Sequence, residues 1–132
     1  LALYADDFEE ILRLASTYSG AIITVEGHSD LLHFLRREQA GADNAELRAI
    51  RTSTQNLSLD RAIAVVDALV GYANDIGVRM NRDQFTVDGV GISNPQHNPP
   101  KTEAEWRENM RVVFRVLTVQ AEATTFSPLA GN

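Results

Sequence analysis

The chain has 132 residues, 44% hydrophobic and 23% charged, which fits one globular domain able to bury about two-thirds of its unfolded surface. Its net charge of −6 argues against a nucleic-acid binder, which would carry a basic face, and the absence of cysteine removes disulfides and thiolate metal sites. No apolar run approaches the ~20 residues that span a bilayer, and Leu1-Ala2-Leu3-Tyr4 does not read as a signal peptide.

From Ala5 to Tyr18, apolar Phe8, Ile11, Leu12, Ala15 and Tyr18 recur at helical spacing. Asp6, Asp7, Glu9 and Glu10 suit the positive end of that helix, and Ser19-Gly20 stops it. Ala21 to Glu26 is apolar on both faces, as expected of a covered strand in an α/β sheet. The strand ends in Gly27-His28-Ser29-Asp30.

Between Asp30 and Asn56 the pattern is broken. Leu31, Leu32, Phe34 and Leu35 suggest a helical turn, Gln39 to Asn44 a surface turn, and Ala45 to Ile50 a second short helix. This segment holds Arg36, Arg37, Arg48 and Arg51, four of the twelve Lys and Arg, and reads most simply as a solvated insertion. The main helix is predicted over Leu59 to Ile76, with Ser58 as N-cap and Gly77 as terminator. Its apolar face is Ala62, Val65, Val66, Leu69, Val70, Ala73 and Ile76.

Phe85 to Gly91 reads as a strand, and Asn94-Pro95 with Asn98-Pro99-Pro100 as an irregular loop. A short helix is expected over Thr102 to Asn109, with Thr102 capping and Glu105 three residues on. Val112 to Val119 alternates as a final strand, and the tail from Glu122 is expected to be loosely ordered. The elements alternate as in a two-layer α/β sandwich. Only Leu1 to Tyr4 is available to supply a strand ahead of the first helix, so the first strand is expected to be missing or truncated, and the chain to be cut from a longer protein.

Asp30, just past the strand, and Arg61, in the first turn of the main helix, are read as holding the opposite charges of one zwitterionic ligand. A carboxylate suits an ammonium, and a guanidinium takes a carboxylate through two parallel hydrogen bonds. With the helix starting at Leu59, free backbone N–H groups of Leu59 and Asp60 would add to the anion site. The Asp60 side chain adds unwanted negative charge and is expected to face solvent.

Gly27-His28-Ser29-Asp30, Leu57-Ser58-Leu59-Asp60-Arg61-Ala62, Gly89-Val90-Gly91 with Pro95 and Asn98, and Asn109-Met110-Arg111-Val112 follow one another in an order that resembles the OmpA-like peptidoglycan-binding domain. That domain occurs in OmpA, the lipoprotein Pal and the flagellar stator protein MotB. The resemblance covers residues 1–121, with 31–55 as an insertion and 122–132 as a tail. It implies a mixed βαβαβ sheet and a non-catalytic module, without metal or cofactor, that grips peptidoglycan at meso-diaminopimelate of the stem peptide. Such a module anchors a periplasmic or outer-membrane protein to the cell wall.

By position, Asp30 and Arg61 match the family's two main ligand contacts, and Asn109 and Arg111 belong to its Asn-Arg-Arg-Val motif. Here Met110 replaces the first of those arginines, Thr54 stands where the family has an asparagine, and Trp106 occupies a position where arginine is common. The insertion and the run Glu105 to Val112 also resemble OmpA-like domains at the C-terminus of periplasmic solute-binding receptors. A missing first strand would leave an exposed sheet edge able to pair with another chain, which size-exclusion chromatography across concentrations tests.

Other readings of the same residues are open. His28, next to Asp30 and near Glu26, could suggest a metal site, although His33 and His97 are expected in loops without ligand spacing. Ser58, His28 and Asp30 could be assembled into a hydrolase triad, but no Gly-x-Ser-x-Gly turn surrounds Ser58. Gly89-Val90-Gly91 lacks the third glycine of a nucleotide loop and reads as a strand bend. Trp106 could stack on a sugar or anchor its loop. The same fold could also serve as a protein-interaction module, with Arg36 or Arg37 filling the space between Asp30 and Arg61.

Overall fold

The computed structural model describes residues 5–18 and 21–118. Its elements are α1 (Ala5–Thr17), β1 (Ala21–His28), α2 (Leu32–Gln39), α3 (Asn44–Asp75), β2 (Phe85–Gly91), α4 (Glu103–Asn109) and β3 (Val112–Thr118), with one turn of 3-10 helix at Arg82–Gln84 before β2. The three strands form a sheet in the order β2-β1-β3. Thr24 meets Thr86 side chain to side chain at 2.8 Å, and Ser29 N–H donates to Gly91 O at 2.8 Å, so β1 and β2 advance in the same direction. His28 N–H at the end of β1 donates to Arg111 O at the start of β3, which sets that pair antiparallel. The result is the mixed sheet of an α/β fold. Among the described residues β2 and β3 are its edges. The missing first strand and the tail from Glu122 fall outside the described residues.

Among the described residues two compact units can be distinguished, one of 5–18, 21–24, 65–86 and 114–118, the other of Val25–Ala64 and Val87–Val113. In the first, Phe8, Ile11, Leu12 and Ala15 form the buried face of α1, and Val65, Val66, Leu69 and Ala73 are buried along α3. Phe8 is the aromatic centre of this unit, 6.2 Å from the Tyr72 ring and 6.4 Å, edge-on, from Phe114. Burying one such side chain contributes about 1.5–3 kcal/mol. Gln84 Nε2 donates to Ala21 O at 3.2 Å, which ties the 3-10 turn to the start of β1.

In the second unit Leu31, Phe34 and Ile92 form a small core, with Leu35, Leu47 and Ile50 packed against it. The Arg51 guanidinium lies 4.5 Å from the Phe34 ring centre, a cation–π contact that covers the aromatic face. The presumed insertion is therefore ordered around its own apolar cluster.

The main correction concerns α3. It does not begin at Leu59: it is one continuous helix of 32 residues from Asn44 to Asp75. Its start is fixed by Asp43, whose Oδ1 accepts the Glu46 N–H at 2.8 Å, the bond expected of an N-cap. The sequence from Asn44 to Val70 contains neither proline nor glycine, so nothing in the backbone interrupts the helix. Ser58 is thus an interior residue, not a cap. Its hydroxyl donates back to Gln55 O at 2.8 Å, a bond that helices tolerate, and accepts the buried Gly91 N–H at 2.9 Å. Ser58→Ala leaves that N–H without an acceptor and is expected to cost about 1–3 kcal/mol in chemical denaturation. An unchanged midpoint would mean that Gly91 finds another partner.

Arg37 of α2 holds Glu46 in the first turn of α3 through Nε and Nη2, the latter at 3.2 Å. Hydrogen bonding from Arg37 keeps the Glu46 carboxyl below its ordinary value of 4.5. Its folded-state value is depressed, so the pair stabilises the fold above the ordinary value and loses that contribution as pH falls through the folded one. Wild type and Glu46→Gln should therefore differ in stability at pH 7 and converge in acid, as pH falls through the folded-state value. A difference that persists in acid would assign the effect to packing instead.

At the other end of α3, Val78 N–H returns to Ala73 O at 2.8 Å, so the predicted stop at Gly77 falls in the right place. The strand over Phe85–Gly91 matches its prediction. In α4, Thr102 accepts Glu105 N–H at 3.1 Å, the expected cap. No helix among the described residues is long and apolar enough to cross a membrane.

Candidate functional site

The site lies within the second unit, where β1 ends against the middle of α3. A Cβ built on Gly27 would stand 1.9 Å from Ser58 O, so only a residue without a side chain lets this strand approach the helix backbone. Gly89 plays the same part from β2, where a Cβ would fall 2.5 Å from Gln55 O. Gly91 ends β2 at φ +65°, also against Gln55. The sequence reading took Gly89 and Gly91 for a strand bend. In the fold, three glycines form the seat that brings α3 against the strand ends.

This close approach places Arg61. Its Nη1 donates to His28 O at 2.8 Å, which fixes the guanidinium beside the last residue of β1. That bond uses one of five N–H donors, and the side chain has no other partner among the described residues. Arg61 is half-buried, so the remaining donors are held in place without being sealed away.

Asp30 follows two residues after His28 and is also half-buried. Its Oδ2 accepts Leu32 N–H at 2.8 Å, where α2 begins, and its Oδ1 accepts Asn109 Nδ2 at 2.9 Å. Each oxygen retains a further lone pair. Neither contact is with a cation, so the negative charge is oriented but not neutralised. The bland alternative of a surface ion pair between Asp30 and Arg61 is not observed. Each is held separately.

Asn109 is fully buried, and its amide is spent inside the protein. Besides Asp30, Nδ2 donates to His97 O at 3.0 Å, and Oδ1 accepts His97 N–H at 2.9 Å. This corrects the expectation of a direct ligand contact: Asn109 clamps Asp30 and the 92–100 loop together. Sequence position alone marked the residue, but only its burial reveals what it does.

Arg111 donates from Nη2 to Asn94 O at 3.0 Å, while Nη1 is buried without a partner among the described residues. Burial pushes its guanidinium down from the usual arginine value, opposed by the negative charge of Glu26.

Leu59 and Asp60 do not offer an anion site. They sit in the interior of α3, where backbone N–H groups point to the preceding turn, so the free donors expected of a first helical turn do not exist there. The Asp60 side chain is exposed, as expected. Ser58 spends its hydroxyl on Gln55 O and Gly91 N–H, which removes the triad geometry. His28 is buried with Nε2 3.5 Å from Glu26 Oε1. His33 lies on α2 rather than in a loop, and no group of three potential metal ligands occurs among the described residues. Arg36 and Arg37 make no hydrogen bond to Asp30, and Arg37 is engaged with Glu46.

No protein-family model matches the chain, and no curated protein matches it. Solved structures of Helicobacter pylori MotB share its fold. The C-terminal domain is 18% identical at a TM-score of 0.56, over 95% of this chain and 83% of that one. The periplasmic domain is 19% identical at a TM-score of 0.58, over 93% of this chain and 67% of that one. MotB is among the carriers of the OmpA-like domain, so the fold implied by the sequence motifs is the fold found.

Proposed function

We propose that the chain binds peptidoglycan non-covalently at the diaminopimelate of the stem peptide, and so anchors a periplasmic or outer-membrane-associated protein to the cell wall. The observation that carries this reading is the pair of separately held opposite charges at the end of β1. Asp30 is oriented by Leu32 N–H and Asn109, Arg61 by His28 O, and neither is neutralised by the other. An amino acid carbon that bears both an ammonium and a carboxylate matches two such groups at once, whereas a simple amine or acid satisfies only one. Diaminopimelate keeps one such zwitterionic end when its other amino and carboxyl groups are built into the stem.

Asp30 takes the ammonium and Arg61 the carboxylate through its unused donors. Arg111 supports the site through charge rather than contact, because Nη2 is committed to Asn94 O and Nη1 is buried. Leu59 and Asp60 have no part in it. The chemistry is recognition alone, with no bond made or broken.

Co-sedimentation with purified cell-wall sacculi tests the reading. The domain is expected to pellet with diaminopimelate-type sacculi and to remain in the supernatant with lysine-type sacculi, whose stem lacks the second zwitterionic end. Failure to pellet with either would move the function to the alternative, a protein-interaction module on the same fold.

A further inference from the structure

A second concavity opens beside this site, and none of Asp30, Arg61, Asn109 and Arg111 lines it. It encloses about 450 Å³ between α2, the end of the 92–101 loop and the start of α4. Leu32 and Pro100 supply its apolar surface, and Arg36, Lys101, Thr102, Glu103 and Trp106 its polar groups. The charges do not cancel. Glu103 is engaged by Arg107 Nη2 at 2.7 Å, while the side chains of Arg36 and Lys101 have no hydrogen-bond or ion-pair partner among the described residues. The half-buried Trp106 likewise has no acceptor for its indole N–H there. These three residues with donor groups, two of them cationic, thus line one space in a chain whose net charge is −6.

We infer that this cavity is a subsite for a peptide carboxylate, reached by the part of the bound stem that extends beyond the zwitterionic group. Leu32 connects the two sites: its backbone N–H holds Asp30 Oδ2, and its side chain lines the cavity. A ligand gripped at Asp30 and Arg61 would reach the cavity by extending past Leu32. Arg36 and Lys101 take the carboxylate, and the Trp106 ring covers the adjacent alkyl groups while its N–H donates to the same anion or to a peptide carbonyl. Arg36 belongs to the 31–55 insertion, which gives that segment a role in ligand selection. The inference rests on the anchoring reading for the identity of the peptide, but its readout is separate.

Trp106 is the only tryptophan in the chain, so intrinsic fluorescence reports on this cavity directly. The domain is titrated with a diaminopimelate stem tetrapeptide bearing a free C-terminal carboxylate, and in parallel with its C-terminal amide. Emission and heat are followed together. The free acid is expected to shift the emission saturably and to bind at least ten-fold more tightly than the amide. Arg36→Ala with Lys101→Ala should bring the two peptides to equal affinity without abolishing binding. Both positions are solvent-accessible and outside the core, so the double variant should keep the wild-type circular dichroism spectrum. Equal affinity of acid and amide for the wild type would overturn the subsite, as would heat of binding with no change in emission; both leave the Asp30–Arg61 site standing. Absence of heat and of any emission change would remove both readings.

Discussion

Gly27→Ala is expected to destabilise the domain by about 3 kcal/mol or more, at or beyond the upper end of the usual cost of overpacking. The added methyl would meet Ser58 O at 1.9 Å, and that atom belongs to the backbone of a long helix, not to a side chain that can turn away. Relief requires β1 and α3 to separate. Separation in turn stretches the Arg61–His28 bond, which crosses the same contact, and strains the Ser58–Gly91 bond, which ties α3 to the neighbouring strand β2. Gly71→Ala is the control, because a Cβ there meets nothing within 4 Å. In the interior of α3 that change should be neutral or stabilising, by up to about 1 kcal/mol. Urea denaturation of the two variants beside wild type measures the contrast. Equal midpoints for Gly27→Ala and wild type would show that the strand end does not need its close seat on the helix.

Arg61→Ala is expected to weaken stem-peptide binding more than ten-fold while leaving the fold intact. Truncating one member of a charged, partly desolvated contact costs about 2–5 kcal/mol. Arg61→Lys should fall between wild type and alanine. Lysine keeps the charge but has no planar fork, so it cannot hold His28 O and two carboxylate oxygens together. Equal affinity for the lysine variant and wild type would reduce Arg61 to a point charge. A comparable loss of stability in Arg61→Ala would assign it to the fold instead.

The strands and α4 were legible because their signals are local. Phe85 to Gly91 alternates between turn residues, and Thr102 with Glu105 marks a helix start that the structure reproduces. The start of the long helix is not legible, because Thr52, Ser53, Thr54 and Asn56 have weak helix propensity and Ser58 precedes a strong apolar face. Propensity is a weak prior, and two kinds of contact override it here. Thr54 Oγ1 returns to Ile50 O at 3.0 Å, and the glycine seat holds Gln55 and Ser58 in place. The overlooked signal was Asp43 with Glu46 three residues on, a start pattern hidden inside what read as a surface turn.

The same misreading produced the error at Leu59 and Asp60, since their N–H groups could serve a ligand only at a helix start. Arg61 is displaced by the same error, from a first helical turn to the interior of α3, but its guanidinium reaches the end of β1 without a helix start. The placement of Asp30 and Arg61 depends on β1 ending where α3 passes. What no sequence pattern could give is the part played by Asn109, whose burial and bonds to Asp30 and His97 come from residues distant in the chain.

The most direct test of the central claim is calorimetric titration of the domain with a diaminopimelate-containing stem peptide, beside Asp30→Ala and Arg61→Ala. Saturable heat for wild type, with each variant at least ten-fold weaker, is the result expected. Wild-type affinity in both variants would contradict the assignment of these two charges, and the absence of heat with wild type would contradict peptidoglycan anchoring itself.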